Sequence, residues 1–194
     1  MDVALQRYRF TVDQYQELGR AGILSDECRV ELIDGEIIEM SPIGAGHMYS
    51  VAYLSAAFIR GLGDRAVLWP QNALRLGQYL QPQPDIVLLR PPLERYRAIV
   101  PRMEDALLVV EVADSSLRYD REVKLPRYAA TGVPELWIVN LSGGALEAYR
   151  DPTSAGYRTR SQFLRGDAIA PAAFPDFRLP VAAILGEPAL GSAQ

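Results

Sequence analysis

The stretch LLVVEVADSSLRYDREVKLPRYAATGVPELWIVNL, residues 107–141, carries the reading of the fold. Leu107–Val112 is a nearly unbroken apolar run, the pattern of a strand buried on both faces. Alternation puts Leu107, Val109, Glu111 and Ala113 on one face and Leu108, Val110 and Val112 on the other. Residues 119–131 predict a helix that stops at Gly132, with Pro134 beyond it. Pro126 inside that stretch predicts a kink or a late helix start. Leu136–Val139 then reads as another strand, and the helix between must fold back against the sheet.

Working outward, Leu146–Tyr149 and Tyr157–Thr159 continue the sheet, with Gly143-Gly144 turning a hairpin between Leu136–Val139 and Leu146–Tyr149. The Pro/Ala/Phe-rich tail is expected on the outside, with a short helix near 181–185. Upstream, Asp85–Leu89 is a short apolar strand after Pro84, and 90–105 is a polar loop. Ala66–Trp69 and Ala73–Leu76 are short candidate strands. Met48, Val51, Ala52, Phe58, Ile59 and Leu62 recur at helical spacing over 47–61. The Asp34-Gly35 pair between Arg29–Ile33 and Glu36–Met40 predicts a hairpin. Thr11 followed by Gln14 fits a capping box for a helix near 12–20 that Gly22 ends. The fold class is therefore mixed α/β, read as one domain over residues 1–194.

Composition narrows the function. No apolar run reaches the ~18–20 residues of a membrane span, so no membrane association is expected. A single cysteine, Cys28, excludes an internal disulfide framework and a cysteine-based zinc site. The expected compartment is a reducing cytoplasm. The net charge of −4 argues against nonspecific nucleic-acid binding by the whole surface. Of the 20 basic residues only Lys124 is a lysine, which singles it out, because an ammonium and a guanidinium do different work.

Glu111 is an ionisable group inside the most apolar strand. Either it reaches solvent at the strand end, or a cation or a metal compensates it. If Asp85–Leu89 pairs antiparallel with Leu107–Val112, Asp85 and Glu111 share one end of the sheet. Paired carboxylates there suit a hard divalent cation, which needs only one or two of them. Lys124 lies 13 residues beyond Glu111 on the following helix; it either approaches the carboxylates or pairs with Asp120 at i−4. Tyr128 and Arg127 follow on similar helical faces and either meet phosphate or are packing and solvated surface respectively. Glu31 is either a solvent-facing strand residue or a further acid of the site. Asp34 belongs to the turn, and Glu36 and Glu39 to the surface. His47 follows the loop Ser41–Gly46, which lacks the Gly-Lys-Ser/Thr ending of a phosphate loop, so no nucleotide cofactor is expected. His47 is either a helix-start cap or a phosphate contact. Arg90, Arg95, Arg97 and Arg102 make the clearest basic cluster, either a solvated loop or a track for a phosphate backbone.

Three segments, VELIDGEIIEMSPIGAGH at 30–47, PQPDIVLLRP at 82–91 and the 107–141 stretch, together resemble the Uma-type restriction-endonuclease-like family, a bacterial group. The resemblance implies the PD-(D/E)XK nuclease fold: a central mixed sheet flanked by helices, here with an N-terminal helix-hairpin extension. It implies that Pro84-Asp85 and Glu111 are the two acidic elements, that Asp85 and Glu111 hold Mg²⁺ with Mn²⁺ as a substitute, and that Glu31 is the additional early acid. Ala113 stands where the short motif expects lysine, and Lys124 is the relocated substitute. The function expected is a Mg²⁺-dependent endonuclease acting on DNA, with Glu31, Asp85, Glu111 and Lys124 as its catalytic set. DNA contacts are expected from Arg90, Arg95, Arg97, Arg102 and His47. A homodimer is expected from duplex symmetry. The alternatives are a noncatalytic binding module on the same fold and a hydrolase of other phosphate esters.

Overall fold

The computed structural model describes residues 7–25 and 28–186. Its centre is a six-stranded sheet in the order β3-β4-β5-β6-β7-β8. The strands are β3 Val67–Pro70, β4 Ile86–Leu89, β5 Ala106–Ala113, β6 Glu135–Asn140, β7 Ala145–Thr153 and β8 Gly156–Leu164. Only β5 and β6 run parallel; every other neighbouring pair is antiparallel. That parallel pair requires a crossover, and the helical segment after β5 supplies it. The hairpin β1 Val30–Ile33 and β2 Glu36–Glu39 stands apart as a two-stranded sheet. The fold is thus the mixed α/β sheet with a leading helix and hairpin that the sequence predicts.

Each sheet face buries its own core. One face holds Ile86, Leu88, Leu108, Val110, Trp137 and Val139, covered by helix α2, Ala45–Leu62. Leu54, Phe58 and Leu62 recur every four residues along α2 and are all buried, so one stripe meets the sheet. The other face holds Val87, Val109, Leu136 and Ile138 beneath Tyr128. Helix α1, Val12–Arg20, begins at the capping box expected of Thr11 and Gln14.

Four expectations change. Ala73–Leu76 is not a strand of the sheet; the Leu74 and Leu76 amides donate to Pro82 and Leu80 carbonyls, folding the segment on itself. Leu107 leaves the face of Val109, because the pairing slips by one residue there: Leu88 faces Leu108 but Leu89 faces Ala106. The tail does not lie outside. Its helix α5, Val181–Leu185, buries Val181 and Ile184 completely, and the Ser50 hydroxyl donates to the Ile184 carbonyl at 2.8 Å. The fourth change is the helix at 119–131. It starts at α3, Leu117–Tyr119, passes through a π-helical segment, Asp120–Lys124, and continues as α4, Leu125–Thr131. Pro126, which offers no amide, sits directly after the π segment at the start of α4, and Gly132 in the left-handed region ends the helix.

Candidate active site

Backbone register brings the acids together. Ile86 faces Val110, so one further step along the antiparallel ladder sets Asp85 opposite Glu111 on the same face. The Val112 amide donates to Asp85 Oδ2 at 2.8 Å and fixes that carboxylate at the end of β5. Glu31 arrives from the hairpin. Leu32 exchanges two backbone hydrogen bonds with Gln81, and the Gln83 amide donates to Glu31 Oε2 at 3.1 Å. The chain from Gln81 to Asp85 therefore ties the hairpin acid to the sheet acid.

The helical crossover supplies the cation. Lys124 Nζ lies 3.1 Å from Glu31 Oε2 and 3.2 Å from Glu111 Oε1. Its alternative partner, Asp120, instead accepts from Ser116 at 2.7 Å. The Tyr128 hydroxyl donates to Glu111 Oε1 at 2.5 Å, and the Tyr119 hydroxyl donates to Glu31 Oε1 at 3.1 Å. His47 Nε2 lies 2.9 Å from Asp85 Oδ1, while its Nδ1 is buried with no partner among the described residues. Glu31, Asp85, Glu111, Asp120, Lys124 and His47 are all buried and all line one cavity of about 300 Å³.

The electrostatics follow from this crowding. Burial pushes the Glu111 carboxyl up to about 8; Lys124 opposes the shift, and Asp120, Asp85 and Glu31 add to it. Burial likewise raises Asp120. Burial alone would lower Lys124, but Glu111, Glu31 and Asp120 outweigh it and raise the ammonium above its ordinary value. Tyr119 and Tyr128 are raised by burial and then by the nearby carboxylates, so both stay protonated donors. Glu31, Asp85, Glu111 and Asp120 thus crowd one lysine, an acid-rich setting in which a divalent cation would offset charge.

The donor set fits a hard divalent cation. Glu111 Oε2 has no hydrogen-bond partner among the described residues, and each Asp85 oxygen has one neighbour, leaving lone-pair capacity. Among the described residues no three His, Cys, Asp or Glu side chains form a metal-ligating group, and Lys124 stands between Glu31 and Glu111. Asp85 and Glu111 would supply such an ion with two oxygen donors.

A family model described as "Putative restriction endonuclease" matches residues 12–182. The chain belongs to this family, Uma2. No curated protein matches the sequence. Four solved chains do match it in structure. One is a crystal structure described as "a putative nuclease belonging to DUF820" from Anabaena variabilis, at 14% identity with a TM-score of 0.72 over 91% of this chain and 97% of that one. The Uma2 chain therefore has the restriction-endonuclease-like fold, and the expected family is the one found.

Within that Uma2 fold, Glu31, Asp85, Glu111 and Lys124 converge. His47 joins them as the third residue of α2, behind the N-cap Gly44, rather than capping the helix itself. The arginine cluster does not. Arg90 follows β4 at the end opposite Asp85, about 17 Å away along the strand. Its guanidinium donates to the Glu104 carbonyl at 3.1 Å, Arg95 pairs with buried Asp105, Arg97 is exposed, and the Arg102 amide donates to Asp105. None of the four lines the acidic cavity; Arg29 does. Sequence reasoning gave Arg29 and Tyr119 no role, and read Asp120 as a helix partner of Lys124 and Tyr128 as packing or a phosphate contact. The signal for two of them was present: Asp120, Lys124 and Tyr128 recur every four residues. The tyrosines read as packing because a phenol ring fills apolar space as well as it donates a hydrogen bond.

Proposed function

We propose that this chain is a divalent-metal-dependent nuclease that hydrolyses phosphodiester bonds of DNA. The observation that carries the reading is the meeting of Asp85 and Glu111, from adjacent strands, with the chain's one lysine in a single cavity. In this reading Asp85 and Glu111 hold Mg²⁺, for which Mn²⁺ can stand in. When bound, the ion supplies Lewis acidity toward a phosphoryl oxygen and toward water.

The chain's own groups do the rest. The Val112 amide and His47 hold Asp85 in place, and Tyr128 holds Glu111. Lys124 is cationic at neutral pH, because the surrounding acids raise it, so it serves as an electrostatic group and not as a base. Its ammonium orients the attacking water and offsets charge developing on the phosphoryl oxygens. Glu31 fixes Lys124 from the far side, and Tyr119 fixes Glu31. Arg29 at the cavity wall meets an incoming phosphate. Two copies acting as a homodimer would cut both strands of a duplex.

The test is calorimetric titration of Mn²⁺ into the wild type and the Asp85→Ala/Glu111→Ala double variant, alongside Mg²⁺-dependent cleavage of single- and double-stranded DNA. Binding and cleavage by the wild type, both lost in a folded double variant, support the proposal. Equal Mn²⁺ binding by the two proteins overturns the site. Metal-insensitive DNA binding without cleavage would instead mark a noncatalytic module.

A further inference from the structure

The π-helical segment Asp120–Lys124 carries a second cation, Arg121, that the reaction chemistry does not use. Its partner is Glu147 on β7, which is 1% exposed. The Arg121 Nε donates to Glu147 Oε2 at 3.3 Å and its Nη2 donates to Oε1. The Tyr149 hydroxyl also donates to Glu147, and Arg160 lies 3.3 Å from it.

The sheet register relates this pair to the active site. Glu111 faces Ile138 across β5 and β6, and Ile138 faces Glu147 across β6 and β7. Glu111, Ile138 and Glu147 therefore form one row on one face, with the two acids two strands, or about 10 Å, apart. The π segment crosses above that row. Lys124 reaches down to Glu111 on one side of Ile138, and Arg121 reaches down to Glu147 on the other. In a regular α-helix residues three apart share a face. The wider i→i+5 turn of a π segment spreads them, so one short stretch of helix can straddle a strand.

We propose that the Arg121–Glu147 pair is a positioning device for Lys124. It pins the π segment on the side away from the cavity and thereby sets how far the ammonium reaches toward Glu111 and Glu31. The inference rests on Lys124 being the working cation of the proposed nuclease site, but the placement itself is open to a test that needs no activity.

Lys124 is the chain's one lysine, so an amine reagent has a single side-chain target. The experiment is reductive methylation of metal-free, full-length protein, with modification of the Lys124 peptide followed by mass spectrometry. Glu135 gives the control: it is another 1% exposed acid, paired with Arg150 and Trp137, but on the opposite face of the sheet. The expected result is that Glu147→Gln speeds Lys124 modification about tenfold, corresponding to ~1.4 kcal/mol of lost placement, whereas Glu135→Gln leaves the rate unchanged despite a comparable loss of Tm. A wild-type rate in Glu147→Gln overturns the proposal. So does an equal increase in Glu135→Gln, which would reduce the effect to general destabilisation. Should Glu147→Gln fail to fold, Arg121→Gln carries the same readout, because it leaves Glu147 with Tyr149 and Arg160. On DNA that the wild type cleaves, Glu147→Gln lowers kcat with KM unchanged. A wild type without cleavage counts against the nuclease reading alone, and the modification rates still decide the positioning role.

Discussion

Glu111 shows how a single side chain records the demands of its site. Its strand is apolar because the sheet is covered on both faces, yet the residue is a carboxyl group, 3% exposed, with Lys124 and Tyr128 on one oxygen. Burial raises its pKa to about 8 against an ordinary value of 4.5. Between those values the folded chain holds a proton that the unfolded chain has released. The resulting stability is complete below the unfolded pKa and is lost as pH rises through the folded one. We therefore expect the Tm of metal-free protein to fall between about pH 5 and about pH 9, and Glu111→Gln to flatten that slope. Calorimetry in EDTA across this range measures it, and an equally steep slope in the variant assigns the effect to another group. In the proposed reading Glu111 is also a metal donor, so Glu111→Gln is expected to weaken Mn²⁺ binding while it flattens the pH dependence of the apoprotein.

At the scale of elements, the hairpin is where packing and site are joined. Gly35 has φ +83°, and a Cβ there would lie 2.7 Å from the Arg9 Cβ and 3.1 Å from the Phe10 carbonyl oxygen. Gly35→Ala is expected to cost at least ~1 kcal/mol, read by urea unfolding, and to weaken Mn²⁺ binding less than the loss of Asp85 does. A variant as stable as the wild type would show that the N-terminal segment gives way freely. This turn was legible in the sequence, because Asp-Gly between two apolar runs is local chemistry. So were β5, β6 and the helical crossover between them, whose apolar periods are long and uninterrupted. The acids were legible too, as charges in apolar frames. Local pattern did not reveal the Leu107 bulge, the π turn or the inward course of the tail. Each lies against partners distant in sequence: Leu88 and Leu89 beside the bulge, Glu147 beside Arg121 of the π segment, and the α2 stripe beside the tail. The Arg90–Arg102 loop reads as a basic cluster in one dimension, but β4 carries it to the end of the sheet away from Asp85.

Across the whole molecule, a site that fills with a cation only when folded links metal to stability. An ion present at one hundred times its Kd adds about 2.7 kcal/mol, which at this chain length raises Tm by roughly 5–10 °C. Thermal scans over a Mn²⁺ series should show that rise in the wild type and none in Asp85→Ala/Glu111→Ala. A rise in both would place the ion elsewhere. The two outer strands of the sheet set a different limit on the molecule. At one border β3 is only four residues long and ends in Pro70, which offers no amide. At the other, β8 runs for nine residues and among the described residues has β7 on one side only, and a strand so placed is a template for another chain. Arg158 and Arg160 stand exposed along it. Arg160 lies 3.3 Å from Glu147, which leaves Arg158 as the charge that repels a second copy docking edge to edge. Arg158→Thr is therefore expected to raise strand-on-strand assembly, read as increased thioflavin fluorescence on prolonged incubation, and unchanged fluorescence would show that this charge does not guard the edge.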